Sequence, residues 1–267
     1  MKKYLSFFRM RLIAGFQYRT AAWAGISTQA VWGLLYVLLY RALYLAAPER
    51  LPMEIQALCS YVWVQQAFFS VWNPYAWEGE LFSAVQTGTV AYELLRPADL
   101  YTMWTARTLA LRLSRGALRF PPIILLGLLL PAPYGLRLTI GPAAWGAFLL
   151  SFLLTLFLCC CLTMLCYGLT FYATDPKGII SIFAALSEFL SGGALPLPFF
   201  PPLLRRIAEL SPFGSLQNVP LRIFGGDIAG ADILPALALQ LFWCVVLAAA
   251  GYALLRRGLR RAVIAGG

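Results

Sequence analysis

From Ala143 to Ala173 the chain carries no charged side chain. About 20 apolar residues in a helix cross the roughly 30 Å of a bilayer's hydrocarbon. Apolar segments recur at about 21–46, 57–77, 101–131, 143–173, 178–198 and 233–255. The chain is 61% hydrophobic and only 12% charged, with a mean hydropathy of +0.74; soluble domains are about half apolar and about a quarter charged. The pattern predicts an all-α integral membrane protein, with residues 1–267 forming one domain of six transmembrane helices.

Charge orients it. Net charge is +10 and histidine is absent, which removes imidazole metal sites, histidine triads and histidine proton relays. In a membrane protein a basic excess reads first as loop asymmetry, not as a nucleic-acid surface. With the N-terminus inside, the inner segments hold Lys2, Lys3, Arg9, Arg11, Arg19, Arg96, Arg107, Arg112, Arg115, Arg119, Lys177, Arg256, Arg257, Arg260 and Arg261. The outer ones hold Arg41, Arg50, Arg137, Arg205, Arg206 and Arg222. This obeys the positive-inside rule with six crossings and both termini cytoplasmic.

Residues 1–19 mix Lys and Arg with Leu5, Phe7, Phe8, Leu12, Ile13 and Phe16, the pattern of an amphipathic helix lying on the inner lipid headgroups. The apolar run after it is too long for a signal-peptide core. Four of the six cysteines crowd LCCCLTMLC in the fourth span. They read as small hydrophobic filler, because adjacent helical cysteines point apart and suit neither a disulfide framework nor a metal site. No metal site is expected.

The second span carries Gln65, Gln66 and Asn73. Amides in hydrocarbon either bond helix to helix or line a wet pathway. The inner loop that follows, residues 77–104, mixes Glu80 and Glu93 with Leu81, Phe82, Val85 and Leu94, breaks at Gly88 and ends at Arg96–Pro97. Its apolar side fits a groove on a partner, or rests on this chain's own helix ends. The third span opens with Arg107, Arg112, Arg115 and Arg119. Four arginines at mid-bilayer would be prohibitive, so this helix is expected to begin well outside the membrane. Only Gly116 to Pro131 would lie in hydrocarbon, kinked at Pro121–Pro122; outside, it serves docking or forms a solvated stalk.

Residues 186–226 begin as an apolar helix with one acid, Glu188, and break at Gly192–Gly193. Pro196, Pro198, Phe199, Arg205, Arg206 and Pro212 follow. Two readings fit: half-helices that dip back and cap the mouth of a pathway, or an ordinary loop with a surface helix. Glu188 is either a functional acid or a hydrogen-bonded packing residue.

This layout resembles the ABC-2 family of ATP-binding-cassette exporter permeases. The basic N-terminal helix, the six spans, GELFSAVQTGTVAYELLRPADLY in the inner loop and the Pro/Gly-rich stretch after span five carry the resemblance over essentially the whole chain. The inner loop is most similar to a bacterial subgroup in which it ends in LLRP. The resemblance implies a multi-pass subunit of a bacterial cell membrane that pairs with a second, homologous or identical permease and with two ATPase subunits. It further implies a coupling helix in the inner loop (Glu80, Leu81, Phe82, Val85, Gly88, Glu93, Leu94, Arg96, Pro97). Spans two and five would line the export path (Gln65, Gln66, Asn73, Glu188), with short re-entrant helices as an outer cap. No GxxxxGK[ST] phosphate loop is present, so ATP and Mg are expected in the partner chain and this chain is expected not to be an enzyme.

Two other functions compete with this one. A membrane-embedded enzyme needs a catalytic constellation, which a chain without histidine and with a solitary buried acid does not offer. An ion-coupled transporter or channel would use Glu188. A pathway lined by aromatic, aliphatic and amide side chains suits amphipathic or hydrophobic cargo, such as a peptide, lipid or drug-like molecule.

Overall fold

A computed structural model describes residues 2–138, 140–173 and 176–260; Asp175 and Arg261 fall outside them. Among the described residues the chain is all helical, with eleven α-helices. They are α1 Lys2–Gly15, α2 Arg19–Ala46, α3 Ile55–Trp72, α4 Gly79–Gln86, α5 Val90–Leu94, α6 Leu100–Leu129, α7 Pro142–Leu169, α8 Pro176–Leu190, α9 Pro202–Leu210, α10 Asn218–Phe224 and α11 Ile233–Leu259. Short 3-10 turns extend α7 and precede α9 and α11.

Three segments are long and apolar enough to cross a membrane: Arg19–Ala46, Ala144–Tyr172 and Gly230–Leu259. Their outer faces agree with that. Trp23, Val31, Trp32, Leu35, Leu38 and Leu39 of α2 are exposed, as are Leu234, Leu241, Phe242 and Val245 of α11. A soluble protein does not leave so continuous an apolar surface to water, whereas hydrocarbon is its natural solvent. The other long helices fall short for visible reasons. α3 contains Gln56, Gln65 and Gln66, α6 contains four arginines, and α8 is only 15 residues long.

Packing fixes the relative directions of the helices. Gly116 of α6 lies against Val71 of α3, and Gly127 against Trp63, so these two helices are antiparallel. α2 runs with α6: Arg119 Nη2 donates to Ala21 O at 3.3 Å, and Gly33 meets the same Trp63. α7 runs with α3, since Phe68 stacks near Phe152 (4.4 Å) while Arg112 joins Val71 to Thr163. α11 runs with α7, with Ser151 bonded to Gln240 at 2.8 Å and Gly168 against Leu254 and Leu255. α8 starts near Tyr167 and Leu255 and finishes beside Gln65, antiparallel to α3. The main core, built round Trp63, Tyr61, Leu158 and Leu221, lies where α3, α7 and α10 meet.

Several expected boundaries move. The N-terminal helix stops at Gly15, short of residue 19. It packs along α6, with Tyr4 Oη accepting from Asp99 N at 2.8 Å and Lys3 bonded to the Pro97 carbonyl. Its exposed side carries Leu5, Met10 and Ile13 beside Arg9, and Phe16 just past its end is exposed too. The second span ends at Trp72 and not at 77, because the Asn73 side chain accepts from Tyr75 N at 2.8 Å and turns the chain. The fifth ends at Leu190 and not at 198. The first half of α6 is not a solvated stalk: Arg107 and Arg112 are buried in protein. The helix is continuous through Pro121 and Pro122.

Candidate functional site

The arginines of α6 are where charge enters an otherwise apolar bundle. Arg112 is 3% exposed. The last carbonyls of any helix lack intrahelical partners and form the negative end of its dipole. At the end of α3, Arg112 Nη1 donates to Val71 O (2.5 Å) and Asn73 O (3.2 Å). Its Nη2 reaches Ala76 O (3.4 Å) and Thr163 Oγ1 (3.0 Å). One guanidinium thus ties α3, α6 and α7 together. Five residues earlier, Arg107 donates to Glu78 Oε2 (2.7 Å) and Glu80 Oε2 (2.5 Å). The hydrogen bond and charge of Arg107 hold the Glu80 carboxyl below its ordinary range.

That ion-pair cluster anchors the loop before α6. Leu81 and Phe82 of α4 and Val90 of α5 are buried with Leu100, Trp104, Met164, Tyr167, Ile180 and Leu255. Phe82 and Tyr167 rings lie 4.7 Å apart, and Tyr167 Oη accepts from Glu78 N at 2.9 Å. Glu93 accepts from Trp104 Nε1 at 2.6 Å, and Gly88 sits in the turn between α4 and α5. Of the two readings of the loop's apolar side, Leu81 and Phe82 follow the second: both cover this chain's own helix ends, and Val85 packs beside them. The apolar groups the loop leaves free are Tyr92, Leu94 and Leu95, next to exposed Arg96 and Pro97.

At mid-bundle α8 breaks. Its 15 residues rise about 22 Å, too little for the roughly 30 Å hydrocarbon core. Gly192 turns out of the helix with φ +83°, and the Glu188 carbonyl accepts from Gly193 N (2.9 Å) and Ala194 N (3.2 Å). Gln65 Nε2 donates to the freed carbonyls of Gly193 (3.1 Å) and Gly192 (3.4 Å). Gln217 Nε2 bonds Ser191 Oγ at 2.9 Å. The half-buried Glu188 side chain lies beside Gly193, where Gln217 also approaches. Gln66 is buried near Gly33 of α2, and the Asn73 side chain is spent on its own turn. Gln65, Gln217 and Asn73 thus bond protein to protein.

Beyond the break the chain folds back into the bundle. Pro196 and Leu197 are buried, Phe199 stacks on Tyr40 at 5.9 Å, and Pro198 and Pro212 are half-buried. α10 is almost wholly buried against α7 and α3, and Thr155 Oγ1 donates to Leu216 O (2.7 Å) while Gln240 Nε2 donates to Ser215 O (2.8 Å). α9 stays at the surface, exposing Leu203, Arg206, Ile207 and Leu210. Arg205 is not a free headgroup anchor. It pairs with Glu209 (2.8 Å), which also holds Arg222 (2.6 Å), and Arg222 pairs with Asp227.

A cleft of about 630 Å³ opens between α1, the start of α2 and α6, lined by Arg11, Arg107, Ser114, Arg115, Arg119, Trp77, Glu78 and Glu80, among others. The sequence reading missed both this cleft and the capping role of Arg112. The signal was present in the four arginines themselves: charges too costly for lipid can lie on protein as well as in water. The six cysteines are free, buried thiols.

An all-helical bundle with long apolar helices and an apolar outer face defines a membrane protein. The chain belongs to the ABC-2 family: the family described as ABC-2 family transporter protein matches residues 30–266. No curated protein and no solved structure matches it. Membership implies association with ATP-binding-cassette ATPase components, and marks the chain as a membrane component of transport rather than an enzyme.

Proposed function

We propose that this chain is the permease of a bacterial ATP-driven exporter, crossing the cell membrane six times with both termini cytoplasmic. It forms one transmembrane domain over residues 1–267, pairs with a second permease, similar or identical, and carries amphipathic or hydrophobic cargo outward. The observation that carries this reading is the alternation of helix direction. α2, α6 and α8 run one way and α3, α7 and α11 the other, so each consecutive long helix reverses the last. The end bearing α1, α4, α5, Lys3, Arg96 and Arg256 is basic and is assigned to the cytoplasm. The short α8 then leaves half a crossing to the re-entrant segment 191–224, which serves as the outer cap.

On this reading the motor docks on the α4–α5 loop. Its exposed tip, Tyr92, Leu94, Leu95, Arg96 and Pro97, is the contact, and Leu81, Phe82 and Val85 transmit the push because they are embedded among the inner ends of α6, α7, α8 and α11. ATP and Mg are held by that partner. The test is reconstitution with an ATP-binding-cassette ATPase that co-purifies with this chain, in vesicles containing ATP and an amphipathic dye or peptide. Dye movement that needs both chains and ATP supports the exporter. Equal movement without the ATPase, driven by an ion gradient and abolished by Glu188→Gln, would replace it with an ion-coupled transporter.

A further inference from the structure

The cleft between α1, α2 and α6 contains more positive charge than the chain itself satisfies. Its two carboxylates, Glu78 and Glu80, both pair with Arg107 through Oε2, and Glu78 Oε1 is buried without a hydrogen-bond partner. That leaves Arg11, Arg115 and Arg119 converging on one space. Arg11 Nε and Arg119 Nε are buried without a hydrogen-bond partner, and Arg115 makes no hydrogen bond or ion pair among the described residues. Arg119 lies across Gly25 at the start of α2, held only by its contact to the Ala21 carbonyl. Buried guanidinium N–H groups without acceptors are costly, and like charges gathered in a cleft repel one another. Forked N–H donors match the oxygens of a phosphate better than any other common anion.

We infer that this cleft is a binding site for a phosphate group, with Arg11, Arg115 and Arg119 as its ligands, and that the phosphate is carried by an anionic lipid of the inner leaflet. The location favours a lipid. α1 turns Leu5, Met10 and Ile13 outward beside Arg9, Phe16 follows it exposed, and exposed Trp23 stands one turn beyond Arg19 on α2. Aromatic and basic groups at that level mark the headgroup zone, and the exposed α2 face above it would lie along the acyl chains. Such a lipid would brace α1 against α6, the helix whose arginines hold the α4–α5 loop. The site rests on the proposed cytoplasmic placement of this end of the bundle and not on the identity of any motor or cargo.

The experiment uses the full-length permease purified in mild detergent, without an ATPase. Native mass spectrometry would measure retention of phosphatidylglycerol against phosphatidylcholine, and melting curves would be taken with inorganic phosphate and with glycerol phosphate. The parent protein should retain phosphatidylglycerol preferentially, and Arg115→Gln or Arg119→Gln should each weaken retention about tenfold. Arg206→Gln, at the opposite end, should change nothing. If inorganic phosphate or glycerol phosphate stabilises the parent but not the Gln variants, and phosphatidylglycerol is not retained, the phosphate site stands and its source is a soluble ligand. If a Gln variant does not fold, Arg115→Lys and Arg119→Lys keep the charge while losing the fork, and should still weaken retention. Unchanged lipid and phosphate binding in folded Gln or Lys variants would overturn the site, and would leave the exporter reading untouched.

Discussion

Arg112 on α6 closes the C-terminal end of α3 by donating to the carbonyl of Val71 at 2.5 Å. A residue 41 positions away thus does what a capping side chain usually does locally. Replacing it strands the buried carbonyls of Val71 and Ala76, while Asn73 O keeps its bond from Ala76 N. Arg112→Leu should therefore destabilise the bundle by about 1–3 kcal/mol for each acceptor left unpaired. Arg112→Lys should recover part of this, because one ammonium cannot span all the acceptors. Melting temperature in detergent, with folded yield as a second measure, checks the order parent, Lys, Leu. Equal stability in all three would remove the capping role.

The two ends of the α4–α5 loop should behave oppositely under mutation. Phe82 is 5% exposed and packed on Tyr167, so Phe82→Ala should cost about 3–5 kcal/mol and lower folded yield. Tyr92 is 72% exposed and Leu95 80%. Tyr92→Asp and Leu95→Asp should stay within about 0.5 kcal/mol of the parent in stability, yet lose the ATPase in co-purification. A stable, ATPase-bound double variant would take the loop tip out of the interface.

Acid should loosen the same region. The Glu80 carboxyl is held below its usual range by the hydrogen bond and charge of Arg107. A depressed carboxylate pKa contributes stability that is present above the unfolded value and lost as pH falls through the folded one. The Glu80 side chain is 80% exposed, so water screens the pair and the effect is small. Melting curves of the parent should fall slightly more steeply below the ordinary carboxylate range than those of Glu80→Gln. Superimposable profiles would mean that the pair contributes nothing measurable.

The sequence made the helical class and most helix positions legible because a membrane helix needs little more than length and apolarity, and α2, α7 and α11 supply both. It was less informative where one residue type has two solutions. Arginine in a span signals either a helix outside lipid or a guanidinium with protein acceptors, and only the position of Val71, Asn73 and Thr163 decides between them. Phe82 next to Glu80 looks the same whether it faces a partner or the chain's own Tyr167. Gly192–Gly193 announced a break, but the prolines after it drew the expected span out to 198. What ends the helix eight residues sooner is the Gly192 turn, and the carbonyls beyond it are taken up by an amide on α3, a partner that no local pattern reveals.

That amide gives the last test. Gln65 supplies N–H donors to the carbonyls of Gly192 and Gly193, the groups that the end of α8 leaves open at mid-bundle. Gln65→Leu fills the same space without a donor and should destabilise by about 1–3 kcal/mol. Gln65→Glu should be no better, since an ionised carboxylate would face carbonyl oxygens. Gly192 has φ +83°, a conformation that costs a side-chain-bearing residue about 1–2 kcal/mol, so Gly192→Ala should be destabilising too. Because both changes loosen one break, their combination should cost less than the sum of the two. A double-mutant cycle in detergent, read from melting or denaturant midpoints, measures this directly. Strict additivity would mean that Gln65 and the Gly192 turn are independent features, and that the end of α8 is set by something other than the helix-to-helix amide contact.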